Sequence, residues 1–315
     1  MRILIAGAAG NLGSHVVAHL LDSTHHLRLL IHQTPAPSAL LSHPNVSMVQ
    51  ADLAQPKTLA GACNDIDGIV YLAGVLFAPL PGRFLPTTNV EYVRNLLGAA
   101  RACGVRRFIL VSFPHVEGET TPEHPAMGRL DAKPEVIHFR TRLEAERLLC
   151  QFCRDGGMTP IVFRAGIVYG AGIKLFEAAR WMLEHRVMAI WNKPTWAHLI
   201  ALPDFLAALK AAIECDGVKG IYQVCDDAPL TLQELLDLLA SHYQCPRPWR
   251  LPEWMFQIAG IGCESVALVL RTPAVLSRDI VRAGMTSSVA DTSRMKRELL
   301  SVLAYPTITE GIGLL

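Results

Sequence analysis

Short apolar runs alternate with segments of helical period along most of this 315-residue chain. Seven runs predict strands: Ile3–Ala6, Leu27–His32, Val46–Gln50, Gly68–Ala73, Arg107–Ser112, Pro160–Arg164 and Ile221–Cys225. They are almost continuously hydrophobic, as strands covered on both faces are. Between them, apolar positions recur every three or four residues over Leu12–Leu21, Asn89–Cys103, His138–Arg154, Asp204–Glu214 and Thr231–His242, which predicts helices. Thr231-Leu-Gln-Glu234 has capping-box spacing just ahead of an apolar stripe. Alternation of this kind predicts βαβ units, hence an α/β fold with a doubly wound parallel sheet.

Two stretches break the alternation. Phe113 to Glu135 is rich in Pro, Gly, Glu and His, and so long a loop in a compact domain is expected to be functional and able to close over a substrate. Pro246 to Met285 carries an apolar helix after Pro-Arg-Pro-Trp and reads as a small lobe added to the sheet. The expected division is residues 1–170 as nucleotide-binding domain, with the strand near 221–225 returning to its sheet, and 171–315 mostly as a smaller C-terminal substrate lobe. With no repeat, low-complexity tract or flexible linker, the two share one continuous core. Trp254 to Leu276 is interrupted by Glu264, Arg271 and Pro273, so it predicts no membrane span. An amphipathic helix resting on a partner or a bilayer surface is the other reading of that segment.

Composition narrows the partners. Half the residues are apolar, 18% are charged and the formal net charge is +1, which gives no reason to expect nucleic acid. The eight cysteines lie among apolar neighbours and, with no targeting segment in the sequence, are expected to be reduced, buried thiols of a cytoplasmic protein. Cys150 and Cys153 form a C-x-x-C on a predicted helix, but no second pair completes a metal set, so no metal is expected. A small-molecule substrate is the expected partner, and a homodimer is left open.

The chemistry begins with Gly7-Ala-Ala-Gly10-Asn11-Leu12-Gly13, between the first strand and the first helix. Gly7 permits a tight turn, Gly10 admits phosphates close to the backbone, and Gly13 lets the helix lie against the strand, with its N-terminus aimed at an anion. The pattern predicts a dinucleotide whose pyrophosphate lies over Gly7–Gly13. No acid follows the second strand to take a ribose 2′-hydroxyl; the run is Leu-Leu-Ile-His32-Gln33-Thr34. NADP(H) is therefore preferred, with NAD as the alternative. His32, Gln33 and Thr34 are the candidate phosphate contacts, unless His32 is only a polar strand end.

Further motifs resemble the extended short-chain dehydrogenase/reductase superfamily, the NAD-dependent epimerase/dehydratase group, over almost the full chain. They are Asp52-Leu53, Leu72-Ala73-Gly74, Asn89-Val-Glu through Asn95-Leu-Leu, Arg107-Phe-Ile-Leu-Val-Ser112, Arg164-Ala-Gly-Ile-Val-Tyr169-Gly170, Asp204, Pro229-Leu-Thr-Leu, Asp291-Thr-Ser-Arg294 and Thr309-Glu-Gly311. The resemblance implies a Rossmann-type fold, the adenine beside Asp52 and Leu53, and Ala73 and Gly74 against the cofactor. It also implies NAD(P)-dependent epimerase, dehydratase or reductase chemistry on a small carbonyl or alcohol, sugar nucleotides among them.

The catalytic positions depart from the family. Where it has Tyr-x-x-x-Lys, the register of Thr141-Arg-Leu-Glu-Ala-Glu146 puts His138 and Arg142; where it has serine, Phe113 stands, with Ser112 one residue early. Residues four apart share a helix face, so His138 and Arg142 can point together into a site. His138 then serves as proton-transfer group, or else it packs or faces solvent on a helix that lost its role. Arg142 can hold a ribose or phosphate but cannot release its proton, while a nearby guanidinium favours neutral histidine. His115, His124 and Asp131 read as polar loop residues rather than catalysts, and Tyr169 as structural support. The alternative to an enzyme is a non-catalytic NAD(P)-binding or redox-sensing protein that has lost the Ser/Tyr/Lys set.

Overall fold

The computed structural model describes residues 1–32, 43–74, 80–270 and 277–315. Seven strands, β1 (Arg2–Ala6), β2 (His26–Ile31), β3 (Val46–Gln50), β4 (Gly68–Tyr71), β5 (Arg107–Ser112), β6 (Thr159–Ala165) and β7 (Gly220–Val224), form one sheet. Its order is β7-β6-β5-β4-β1-β2-β3, and every pair is parallel. The seven apolar runs of the sequence are these seven strands.

Two helical layers cover the sheet because its side chains alternate. Ile3, Ile5 and Leu29 face α1 (Asn11–Leu21), with Val16, Val17 and Leu20 packed beneath. Leu4, Ala6 and Ile69 face the other way, toward Leu59 of α2 (Pro56–Cys63). On that second face a short helix, α3 (Pro81–Leu85), runs through a π-helical turn, Pro86–Glu91, into α4 (Tyr92–Ala102), which contributes Val93, Leu96 and Leu97. It is joined there by α5 (Ile137–Phe152) through Ala145 and Leu149. The order reverses between β1 and β4, so a crevice opens at the carboxyl ends of these two strands, the ligand position of such sheets.

Next in the chain come α6 (Lys174–Glu184) and α7 (Leu202–Glu214), followed by β7 and α8 (Leu232–His242). Of these, α7 joins the α1 face of the sheet through Phe205, Ala208 and Leu209, while α6 and α8 build a third core through Phe176, Leu183, Leu235 and Leu239. Thr231 and Glu234 close the capping box read from the sequence: Glu234 N donates to Thr231 Oγ1 at 3.2 Å and Thr231 N to the Glu234 carboxylate at 2.8 Å. Short strand pairs stitch the lobe together: Ile167–Tyr169 with Leu199–Ala201, Trp196–Ala197 with Leu230–Thr231, and Ala189–Trp191 with Trp249–Leu251. The last helices are α9 (Glu253–Leu270), α10 (Arg278–Met285), α11 (Ser293–Glu298) and α12 (Ile308–Gly311).

Three expectations need correcting. β4 stops at Tyr71, not Ala73, because Leu72 and Ala73 pass over the Gly7 turn, where a Gly7 Cβ would stand 2.7 Å from Ala73 N. The Phe113–Glu135 loop is fastened rather than free to close. The Glu117 carboxylate accepts from the backbone N–H groups of Met127, Gly128 and Arg129, and Ala126 bridges to Ala290. The cysteines are all free, but only Cys63, Cys153 and Cys225 are buried, and Cys215 and Cys263 are exposed. Among the described residues no helix is long and apolar enough to cross a membrane. On α9, Trp254, Ile258, Ile261 and Val266 are nonetheless exposed.

Candidate functional site

The crevice begins at the glycine turn. Gly7 adopts φ +93°, closed to most side chains, and Gly10 N donates to Gly7 O at 2.9 Å. A Cβ on Gly13 would lie 2.0 Å from Gly7 O, so only glycine lets α1 approach the turn this closely. Gly10 is the N-cap of α1, and neither a side-chain cap nor an acid in the first turn competes for its free N–H groups. They form the positive end of the helix and are available to a pyrophosphate. The Asn11 side chain is engaged elsewhere, which leaves its backbone N–H for a phosphate. The side-chain amide clips the turn to the segment that opens α6, with Nδ2 donating to Gly172 O at 2.7 Å and Oδ1 accepting from Lys174 N at 3.0 Å. Leu12 packs against both the core beneath α1 and the core built by α6 and α8.

At the far edge, His32 is half-exposed just beyond β2, its Nε2 3.7 Å from Asp52 Oδ2. Gln33 and Thr34 lie outside the described residues. Asp52 shapes the turn into α2, Oδ1 accepting from Ala54 N at 2.9 Å and Oδ2 from Gln55 Nε2 at 3.0 Å. Asn95 Nδ2 of α4 donates to Leu53 O at 2.8 Å and holds that segment against the sheet. Ala73 and Gly74 follow β4, and a Cβ on Gly74 would stand 3.0 Å from Arg142 Nη2.

Arg142 reaches this point from α5. It is buried, and among the described residues its Nε and Nη1 have no hydrogen-bond partner, nor has the buried Tyr71 hydroxyl at the end of β4. Burial pulls the guanidinium below its usual range and pushes the Tyr71 phenol up to about 12, the neighbouring guanidinium opposing the latter. Buried donors are seldom left unmade. Orphaned donors beside the glycine turn fit the ribose hydroxyls of a dinucleotide, so these residues suit the group.

His138 lies one turn earlier on α5, buried, its Nε2 3.7 Å from Asp279 Oδ2 on α10. Burial lowers the imidazole first, Asp279 raises it, and Arg142 lowers it. The two residues predicted to share a face do so, close enough for their charges to interact. Phe113, at the serine position, packs edge-on to Phe139 with ring centres 5.8 Å apart, and His115 lies 5.2 Å from Phe139. Burial pushes His115 down to about 4. The wall that would hold a hydroxyl is aromatic.

Behind this wall lies a buried charge network that sequence reasoning missed. Arg164 is fully buried and donates to Glu146 through Nε and Nη2, at 3.1 and 2.6 Å, and to Glu117 through Nη1 at 2.5 Å. Ser112 donates to Glu146, and Gln223 Nε2 to Glu117 at 3.2 Å. Ser112 is thus spent on structure. Tyr169 is structural too, buried and donating to Thr307 O at 3.2 Å, as is Asp204, which accepts from Ala304 N and Tyr305 N. Among the described residues no His/Cys/Asp/Glu group could hold a metal ion.

Comparison with known proteins agrees with this geometry. Residues 7–151 match the NAD(P)H-binding family model. A Mycobacterium tuberculosis 3 beta-hydroxysteroid dehydrogenase/Delta 5-->4-isomerase is 31% identical over 194 residues, 56% of this chain and 51% of that protein. The chain thus spans about half the length of this relative. A 2-alkyl-3-oxoalkanoate reductase from Stenotrophomonas maltophilia is 26% identical over 78% of this chain and 77% of its own. A Streptomyces venezuelae dTDP-glucose 4,6-dehydratase structure with NAD bound superposes over all of this chain and 95% of that one, with TM-score 0.78 at 18% identity. Residues 7–151 are thus similar to NAD(P)H-binding domains, and the chain as a whole shares the fold of that solved structure.

Proposed function

We propose that this chain is an NAD(P)-dependent oxidoreductase or epimerase acting on a small carbonyl or alcohol, with His138 as proton-transfer group and Arg142 on the cofactor ribose. The observation that carries the reading is the buried Arg142 guanidinium, left with two unpartnered nitrogens between the glycine turn and His138. When bound, the dinucleotide supplies or takes up a hydride. His138 moves the matching proton at the substrate oxygen, and a base held below its ordinary value by burial is neutral at physiological pH. Arg142 stays charged and fixes the geometry. Among the relatives are a hydroxysteroid dehydrogenase and an oxoalkanoate reductase, and this supports the reaction class.

NADP(H) is the proposed form. His32 follows β2 where a carboxylate would otherwise take the 2′-hydroxyl, and it is exposed enough to meet a 2′-phosphate. One observation favours the non-catalytic alternative, a dinucleotide binder or redox sensor: Phe113 replaces the carbonyl-orienting serine. Turnover decides between them. Carbonyl and alcohol substrates are screened with both cofactors, and His138→Phe is expected to reduce turnover on any hit by about a hundredfold or more while keeping cofactor affinity. Full activity in that variant would overturn the assignment of His138, and tight binding without turnover on any substrate would favour the sensor.

A further inference from the structure

The most informative contact at His138 comes from a distant part of the chain. Asp279 opens the first turn of α10, whose N-cap Ser277 accepts from Ile280 N at 3.2 Å. The cap fixes how the helix starts and so where the carboxylate points. Asp279 Oδ1 accepts from Ile137 N at 3.4 Å, the backbone group just before His138, while Oδ2 is buried, has no hydrogen-bond partner among the described residues and lies 3.7 Å from His138 Nε2. Asp279 therefore grips the first turn of α5 with one oxygen and faces the imidazole with the other.

Resting on the reading of His138 as proton-transfer group, we propose that Asp279 is its positioning residue, a carboxylate brought from the second lobe to orient the ring and stabilise its protonated state. The pairing follows the logic of histidine general bases, in which a carboxylate on one ring nitrogen leaves the other free for the substrate. Nε2 is turned to Asp279, so Nδ1 is the working nitrogen. When the substrate oxygen loses its proton, Nδ1 accepts it and the imidazolium is balanced by the Asp279 carboxylate. In the reverse direction Nδ1 returns the proton to the oxygen and the ring is neutral again. A bound dinucleotide would take up or supply the accompanying hydride, so charge and atoms would balance.

Other charges face the pair. Arg142 on α5 lowers the imidazole, and Arg282 on α10 favours the ionised carboxylate, which Glu264 on α9 opposes. Burial raises Asp279 and lowers His138, each the largest influence on its group, so both members are held away from the charged form that their mutual attraction favours. Asp279 also lines, with Arg83, Glu264, Arg278 and Arg282, a pocket of about 390 Å³ between α3, α9 and α10.

The test is the titration of the His138 ring by NMR in the substrate-free protein, its signal assigned through the loss seen in His138→Gln. Removing a carboxylate at this range, in Asp279→Asn, is expected to move the inflection to lower pH by about one pH unit, and Asp279→Glu is expected to restore part of it. Dinucleotide affinity, which Asp279 does not touch, reports that both variants are folded. An inflection unmoved in a variant that still binds dinucleotide would overturn the pairing. A moved inflection combined with full turnover in His138→Phe would keep the pairing and remove the catalytic reading.

Discussion

Arg164 and Glu146 meet with no solvent between them, both fully buried, joined by guanidinium donors at 3.1 and 2.6 Å. The pair sits behind the site wall and anchors three elements: β5 through Ser112, α5 through Glu146 itself, and the Phe113–Glu135 loop through Glu117 and the Arg129 carbonyl. Breaking one partner leaves a buried charge uncompensated. Glu146→Gln is expected to cost about 3 kcal/mol in urea unfolding. An unchanged midpoint would show that Glu117 alone satisfies Arg164.

Two glycines of the first turn are expected to separate folding from binding. At Gly13 an added Cβ would meet backbone at 2.0 Å, so Gly13→Ala must push α1 off the turn and is expected to destabilise the protein by about 2 kcal/mol. At Gly10 the nearest atom is 3.1 Å away, so Gly10→Leu should fold and yet lose dinucleotide by covering the free N–H groups. Thermal melting and calorimetric titration of both variants check the contrast. Intact affinity in Gly10→Leu would remove the pyrophosphate from this turn.

A buried pair in the second lobe sets a pH limb. Burial raises Asp226 from 3.8 to about 8 and lowers His198 from 6.5 to about 4; His198 Nε2 donates to Asp226 O at 3.0 Å. Between 3.8 and 8 the folded Asp226 keeps a proton that the unfolded chain releases, so its contribution to stability falls as pH rises through that window. His198 acts oppositely between 4 and 6.5, where only the unfolded chain binds its proton, and there the two trends offset. Above 6.5 Asp226 acts alone. Wild type should lose up to about 1.4 kcal/mol per pH unit from this group between pH 6.5 and 8, and Asp226→Asn should lose that slope. Parallel pH–stability curves for the two proteins would contradict the burial argument.

The sheet was legible because its strands are nearly continuous apolar runs, interrupted inside at Arg28, Ser47, Arg164 and Gln223, and the glycine turn because its spacing has a steric cause that Gly7 and Gly13 display directly. His138 and Arg142 were legible through helical spacing. Asp279 was not, since it lies on a different helix in the other lobe and only tertiary packing brings it to His138. The α6 helix escaped because Leu175 and Trp181 remain exposed and blur its apolar stripe, with only Phe176 and Leu183 buried. The long loop was misread as a lid because the carboxylate of Glu117 that fastens it carries no local signature.

Cofactor form turns on His32. Calorimetry with NADP(H) and NAD(H) is expected to show NADP(H) binding at least as tightly, and His32→Ala should weaken NADP(H) selectively. A preference for NAD(H) that survives the substitution would reassign the ribose contact.

The buried Arg142 guanidinium, with Nε and Nη1 unpartnered among the described residues, is the proposed contact to the dinucleotide. Calorimetric titration of NADPH and NADH into wild type and Arg142→Met tests it most directly. Wild type is expected to bind saturably and the variant to lose at least about tenfold, the size of a lost hydrogen bond to a charged group. Equal affinity in the two proteins, or no binding to either, would contradict it.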